Sequence, residues 1–267
     1  MPFNGLREFI SALETEGELL RIQEFVDPIL EIAEITDRIS KSGVHGAGGK
    51  ALLFENNGSS FPLLINSLGS YKRMCLALGV DDLDLHGEEI GRIIRKITTP
   101  RQSSFDKIKL LPLLGQISSW TPKLSYGKGD CQEVIIRDPD LGILPVMKCW
   151  PGDGGRFITL PVVITRDPES GIRNAGMYRM QVFDRSTTGM HWHIHKGGAA
   201  HFRKYAALKM IMPVAVALGG DPVYTYTATA PLPENIDEFL FAGYLRKKRV
   251  RLVKAITQDI EVPADAD

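Results

Sequence analysis

The segment with the most chemical potential is rich in histidine. Four of the six histidines of the chain lie within eleven residues, in the run MHWHIHKGGAAH at 190–201. If this run is an extended strand, His191, His193 and His195 share one face, because strand side chains alternate. Three imidazoles on one face favour zinc and a hydrolase. A structural or exposed role is as common for any single histidine.

A glycine pair follows the histidines. Lys196, Gly197 and Gly198 lead into a helix predicted at 199–210. Backbone N–H groups at such a turn, together with the positive end of the helix dipole, attract anions. The segment is therefore a candidate phosphate site, although most glycine pairs only make turns.

A second unusual run is NAGMYRMQ at 174–181. The amide oxygen of Asn174 could bind a metal, and the planar guanidinium of Arg179 could bind a carboxylate or phosphate through two hydrogen bonds. On a regular strand the two side chains would face opposite sides. A bulge at Gly176 would turn both inward. The alternative is a turn asparagine and a surface arginine.

Acidic side chains begin the last predicted helix, at 236–248. Asn235 is its predicted N-cap, and Asp237 and Glu238 fall in its first turn. Acids are favoured there by the helix dipole alone. If one of them turns inward, then an asparagine, a histidine and a carboxylate make a set that suits Mn²⁺ or Mg²⁺ better than a closed zinc site.

The elements that must position these groups change character along the chain. Apolar periodicity predicts helices at 6–20, with Gly17 as a weak point or stop, and at 29–39, 71–78 and 88–97, with strands at 51–54 and 62–65. We interpret 101–127 as a linker. Beyond it, β-rich runs are predicted at 134–136, 158–164, 174–183, 190–194, 212–218, 250–256 and 260–262.

Composition indicates an ordinary globular protein. Lys plus Arg and Asp plus Glu both number 32, so the net charge is zero and a nucleic-acid partner is not indicated. The three cysteines are scattered, which fits a reducing compartment. No apolar run is long enough to span a membrane. We expect a cytoplasmic protein.

Three runs carry a resemblance to a known family. They are NAGMYRMQ, TTGMHWHIHKGGAAHF, and APLPENIDEFLFAGYLR followed by VKAITQDIEVPADAD. In order and spacing they resemble the UbiD family of reversible decarboxylases. The resemblance implies an α/β N-terminal domain at 1–112 and a split β-barrel of the flavin-reductase type at 113–267, which is α+β overall.

The resemblance also assigns residues. It implies that Asn174, His195 and Glu238 bind the metal, and that Arg179 contacts the cofactor and the substrate carboxylate. The remaining cofactor-binding positions that it implies, along with His195, are Thr159, Ala175, Gly176, Met177, Tyr178, Thr229, Ala230 and Pro231.

Family members use prenylated FMN, a Mn²⁺ or Mg²⁺ ion and often K⁺. They decarboxylate aromatic or α,β-unsaturated acids, including the polyprenyl-hydroxybenzoate of quinone biosynthesis. The resemblance implies a flavin prenyltransferase as cofactor supplier and a homo-oligomer in the full-length form. A polyprenylated substrate would imply peripheral contact with the membrane.

The sequence departs from the family at its end. Active members carry an acidic pair in an EGPFGE-like segment, and then a C-terminal domain, after the stretch at which this chain stops. We expect this chain alone to be incomplete as a catalyst, because one of those acids is the family's proton donor. The alternatives are a non-decarboxylating FMN-binding split-barrel protein, and an inactive remnant or partner subunit.

Overall fold

The first part of the chain alternates helices and strands. A computed structural model describes residues 3–42, 48–98, 111–233 and 236–267. The first elements are α1 (Leu6–Thr15), β1 (Leu19–Phe25), α2 (Glu31–Lys41), β2 (Ala51–Asn56), β3 (Leu63–Ile65), α3 (Tyr71–Leu78) and α4 (Leu83–Thr98). The strands form one sheet in the order β1-β2-β3, with β1 parallel to β2 and β3 antiparallel to it.

The first helix stops just before Gly17, the possible stop in its pattern, and does not continue to residue 20. Leu6, Phe9 and Leu13 form one apolar face, and both Phe9 and Leu13 are fully buried. The helix ends at Thr15, and Gly17 then adopts a left-handed conformation with φ of 66°. The leucines at 19 and 20, which matched the helical spacing, belong to strand β1 instead.

The second part of the chain is mixed rather than purely β. Its elements are α5 (Leu111–Trp120), β4 (Lys123–Leu124), β5 (Arg156–Ile158), β6 (Val162–Arg166), β7 (Arg173–Met177), β8 (Met180–Val182), β9 (Thr188–Met190), α6 (Gly197–Ala207), β10 (Ala215–Ala217), α7 (Pro222–Thr227), α8 (Glu238–Arg246), β11 (Arg251–Lys254) and β12 (Glu261–Pro263).

The split β-barrel is not confirmed. In the described ranges the strands after α5 form three separate three-stranded sheets, in the orders β10-β6-β7, β5-β8-β9 and β12-β11-β4. No closed barrel is formed among them. The chain has a mixed α/β fold, and the division into domains at residue 112 stays a prediction.

Three further predictions need correction, and a fourth falls outside the described residues. The stretch at 111–120 is a helix rather than part of a linker, since Pro112 stands in its first turn, where a missing N–H costs nothing. The run at 134–136 forms no strand, and Val134 is 80% exposed. The strand predicted at 190–194 ends at Met190.

The predicted N-cap of the last helix, Asn235, lies outside the described residues. The residue that caps α8 is Asp237.

The main core lies where α7 and α8 pack against the sheet β10-β6-β7. Tyr224 and Phe239 meet there edge to face, and Val162 and Ile164 of β6 are buried beneath them. The core fixes α8 against β7, which brings the start of the helix to the middle of that strand. Across the described ranges, no helix combines the length and the hydropathy needed to cross a lipid bilayer.

Candidate functional site

A cavity of about 460 Å³ lies between β7, the start of α6 and the start of α8. Most of the sequence-predicted site residues line it. These are Asn174, Gly176, Met177, Tyr178, His195, Thr229, Ala230, Pro231 and Glu238. Ala175 is fully buried behind the wall and contributes its backbone N–H to Glu238. All three predicted metal ligands are thus brought to one cavity.

The position of Asn174 is set by its strand and by a tyrosine, and a glycine of α6 leaves room for its side chain. It lies on β7, in register with Thr165 of β6. Its Nδ2 donates to the Tyr178 hydroxyl at 3.2 Å. Its Oδ1 lies so near α6 that a Cβ built on Gly197 would be only 2.2 Å from it. Gly197 therefore lacks a side chain for a steric reason as well as marking the turn.

The bulge expected at Gly176 is not present. Gly176 pairs with Val163 in an unbroken antiparallel ladder. A Cβ at Gly176 would lie 2.4 Å from the Tyr178 hydroxyl, so the glycine makes room for that ring. Strand β7 ends at Met177, and Arg179 lies in the two-residue connection to β8, so Asn174 and Arg179 do not face the same site.

Glu238 is the acid that turns inward. Its Oε2 accepts the backbone N–H of Ala175 at 2.8 Å. Asp237 instead caps α8 by accepting from the Phe239 N–H, and it pairs with Arg173 at 2.6 Å. Burial raises the pKa of the Glu238 carboxyl. Within the described part of the chain no cation forms an ion pair with Glu238, so a divalent ion in the cavity would supply the missing positive charge.

The histidines do not act as a set of three. His191 packs edge to face on Phe157 at 4.9 Å, and the rings of His193 and His195 are 5.3 Å apart. Of the four clustered histidines, His195 and His201 line the cavity. The described residues contain no cluster of three or more His, Cys, Asp or Glu side chains arranged for a metal. The three-imidazole zinc site is therefore not formed.

Arg179 and Thr159 lie outside this cavity. The Arg179 guanidinium sits 4.1 Å from the centre of the Phe157 ring and 3.2 Å from the Asp153 carboxylate. Thr159 lines a second, mostly apolar cavity of about 260 Å³, which Phe157 also lines. The two residues are thus gathered around β5, apart from the three candidate metal ligands.

Sequence reasoning missed part of the cavity's basic wall. Arg173 and Lys204 line it, and both are already paired with carboxylates. Lys196, which the glycine-pair pattern did indicate, is exposed, and among the described residues it has no ion-pair partner. Arg173 and Lys204 gave no signal because their partners are set by the fold. Because Arg173 and Lys204 are already paired with carboxylates, Lys196 is the cation of this wall that suits an anion such as a phosphate.

Asp167 anchors Lys204 and gives the protein an acid-sensitive contact. Burial alone would raise the pKa of the Asp167 carboxyl, but the Lys204 ammonium at 2.6 Å and the N–H groups of Ser170 and Glu169 hold it well below its usual range. A depressed pKa stabilises the fold above the unfolded value, near 4, and that stabilisation is lost as the pH falls through the folded value.

We therefore expect Asp167→Asn to lower the free energy of unfolding by about 1 kcal/mol at pH 7, because it removes the charge of a buried carboxylate whose partner, Lys204, is 41% exposed and screened by solvent. The difference from wild type should shrink as the pH falls below 4. Urea unfolding at pH 7 and pH 3 measures both values. Asp138→Asn is the control, since Asp138 is 88% exposed. An equal deficit at both pH values would contradict the assignment.

Comparison with known proteins gives two family matches. Residues 10–101 match the model of the 3-octaprenyl-4-hydroxybenzoate carboxy-lyase N-terminal domain, and residues 123–267 match that of the carboxy-lyase Rift-related domain. Proteins of uncharacterised function from Archaeoglobus fulgidus and Aquifex aeolicus are 51% and 48% identical over 270 and 266 residues. The alignments cover 100% and 99% of this chain but 54% of each relative.

Solved structures similar to this chain include decarboxylases and UbiD-class enzymes. The vanillic acid decarboxylase of Sedimentibacter hydroxybenzoicus, in its closed form, is 28% identical with a TM-score of 0.80 over 99% of this chain and 53% of its own. An evolved dimeric form of the UbiD-class enzyme HmfF from Pelotomaculum thermopropionicum, in complex with prFMN, is 26% identical with a TM-score of 0.75. The match covers 99% of this chain and 56% of that one.

Proposed function

Because the chain belongs to the UbiD family of carboxy-lyases, we propose that it forms the metal- and flavin-phosphate-binding part of a decarboxylase. The substrate class is an aromatic or α,β-unsaturated carboxylic acid, and the reaction is non-oxidative and reversible. The chain spans about half the length of the relatives it matches. The activity is accordingly proposed for the protein of which this chain supplies these residues.

One observation carries the proposal. Asn174, His195 and Glu238 come from three distant positions in the sequence, yet all three line one cavity whose wall also includes Lys196 and the start of α6. An amide oxygen, an imidazole nitrogen and a carboxylate form a mixed donor set that suits Mn²⁺ or Mg²⁺. We propose that these residues hold such an ion, with K⁺ as a further ion, beside the phosphate of prenylated FMN.

The cofactor matters because loss of CO₂ from an sp² carbon leaves an electron pair that no side chain can delocalise. Bound prenylated FMN would supply the electron sink. The Ala175–Tyr178 backbone and the segment from Thr229 to Pro231 would hold the flavin, with Thr159 beyond them. Arg179 would orient the substrate carboxylate, since its guanidinium is 39% exposed and stands over the Phe157 ring.

Two further proposals follow from the family. A flavin prenyltransferase would supply the cofactor, because the prenylated ring must be made elsewhere, and the full-length protein would form a homo-oligomer. A non-decarboxylating FMN-binding protein is the rival function, because the described cavity accounts for a metal and a phosphate without a proton donor for the product.

The test separates binding from turnover. The chain, supplied with Mn²⁺ and prenylated FMN, is mixed with a cinnamate-like acid or a hydroxybenzoate, and CO₂ release is measured alongside flavin binding. Decarboxylation supports the proposed function. Metal-dependent flavin binding without CO₂ release, in the full-length protein as well, favours the rival. Absence of metal-dependent flavin binding overturns the proposal for the site itself.

A further inference from the structure

The Tyr178 hydroxyl occupies a junction between β7 and α6. It accepts the Asn174 Nδ2–H at 3.2 Å and the backbone N–H of Gly198 at 3.1 Å. The residue lines the cavity but is only 5% exposed. A buried hydroxyl with two defined donors has a fixed position, so it fixes the groups that donate to it.

Two glycines make this position possible. A Cβ at Gly176 would lie 2.4 Å from the Tyr178 hydroxyl, and a Cβ at Gly198 would lie 3.1 Å from the ring. The ring is therefore enclosed between β7 and the first turn of α6. The run NAGMY and the glycine pair, which are separated by about twenty residues, thus form one packing unit.

The consequence concerns the amide of Asn174. An asparagine presents one oxygen and one NH₂ group, and only the oxygen can bind a cation. With its NH₂ group bound to Tyr178, the amide directs Oδ1 toward Gly197 at the cavity wall. We propose that Tyr178 is a positioning residue that selects the metal-binding orientation of Asn174. The inference rests on the proposed function, in which Asn174 is a metal ligand.

The same geometry distinguishes this role from general support of the fold. A carboxylate at position 174 has two equivalent oxygens, so it needs no hydroxyl to choose between them. Tyr178 should therefore matter to metal affinity when residue 174 is asparagine and should matter much less when it is aspartate. A tyrosine that only held α6 in place would matter equally in both cases.

The experiment is calorimetric titration of Mn²⁺ into the 267-residue chain with FMN present. We expect Tyr178→Phe to raise the Kd for Mn²⁺ about 10- to 100-fold, the usual effect of losing a group that orients a ligand. Tyr205→Phe is the matched control, because it removes a hydroxyl from another buried tyrosine that does not line the cavity. Circular dichroism confirms that each variant is folded.

The decisive comparison uses Asn174→Asp. In that background, Tyr178→Phe should change the Kd less than about threefold, so that the two substitutions are coupled. An equal loss in both backgrounds, or a Tyr178→Phe variant that binds Mn²⁺ like wild type while Asn174→Ala does not, overturns the inference and leaves the proposed function standing. If Asn174→Ala binds as well as wild type, the proposed metal site fails, and this inference fails with it.

Discussion

Replacing Glu238 with glutamine is expected to abolish metal-dependent flavin binding while the protein stays folded. Glutamine keeps an oxygen that can accept the Ala175 N–H, the contact that Glu238 makes at 2.8 Å. It removes the negative charge that a divalent cation would need. The Kd for Mn²⁺ should rise at least about 100-fold, because losing a ligand costs more than losing a group that orients one.

The same substitution should leave the metal-free protein at least as stable as wild type. Burial raises the pKa of the Glu238 carboxyl, and the described residues supply no ion pair to offset that burial. An uncharged side chain of the same shape therefore removes an unfavourable charge. If Glu238→Gln weakens Mn²⁺ binding without lowering the stability of the metal-free protein, Glu238 acts as a metal ligand and not merely as a support of the fold.

Calorimetry with Mn²⁺ and FMN measures the binding, and thermal unfolding without metal measures the stability. His195→Ala should lose metal-dependent flavin binding as well. Asp259→Ala serves as the control for loss of a carboxylate, since Asp259 is 78% exposed and pairs with Lys254 at the surface. Retained binding of Mn²⁺ and flavin phosphate by both the Glu238 and the His195 variants would refute the metal role.

Local patterns in the sequence predicted the residues of this cavity better than they predicted its architecture. The resemblance of the surrounding runs to a family assigns Asn174, His195 and Glu238, whereas the residue types alone leave open which histidine and which acid of the helix turn would bind. Their convergence depends on α8 packing against β7, a long-range contact that periodicity does not contain. The prediction that three histidines share one face of a strand was wrong, because β9 ends at Met190, before the first of them. His191 and His193 do not line the cavity.

The errors in the fold have similar causes. Leu19 and Leu20 match the helical spacing of α1, but the left-handed backbone of Gly17, the possible stop in that pattern, separates them from the helix and they join a sheet. The interpretation of 101–127 as a linker misses the helix at 111–120, because Pro112 in its first turn costs no hydrogen bond. The run at 134–136 had the residue types of a strand but lacks a neighbouring strand to pair with among the described residues. In each case the tertiary contacts of the segment override its local propensity.

The second large effect is expected from Arg246, which joins four parts of the chain. Its guanidinium pairs with Asp221 at 2.8 Å and with Asp265 at 3.0 Å, and it also contacts the Tyr224 hydroxyl and the Phe3 carbonyl. Asp221 is fully buried. Because Asp221 also caps α7 through the Val223 N–H at 2.9 Å, the network holds α7 and α8 together behind the cavity.

Arg246→Met should therefore lower the free energy of unfolding by about 3–5 kcal/mol, since it leaves a buried carboxylate without its cation. The melting temperature should fall by roughly 10 °C for a chain of this size. Arg249→Met, which loses only hydrogen bonds to the Ser118 and Ser119 carbonyls at the surface, should change stability by less than about 1 kcal/mol. Thermal and urea unfolding measure both variants.

A double variant decides whether the buried charge is the cause. Asp221→Asn added to Arg246→Met removes the orphaned carboxylate and keeps an oxygen for the α7 cap, so it should recover part of the lost stability. If the double variant is less stable than Arg246→Met by the full cost of a second lesion, packing of the arginine side chain rather than its charge dominates. In either case Glu238, the first residue of α8, stays in place in the folded molecules, so loss of this network should weaken metal binding in proportion to the unfolded fraction.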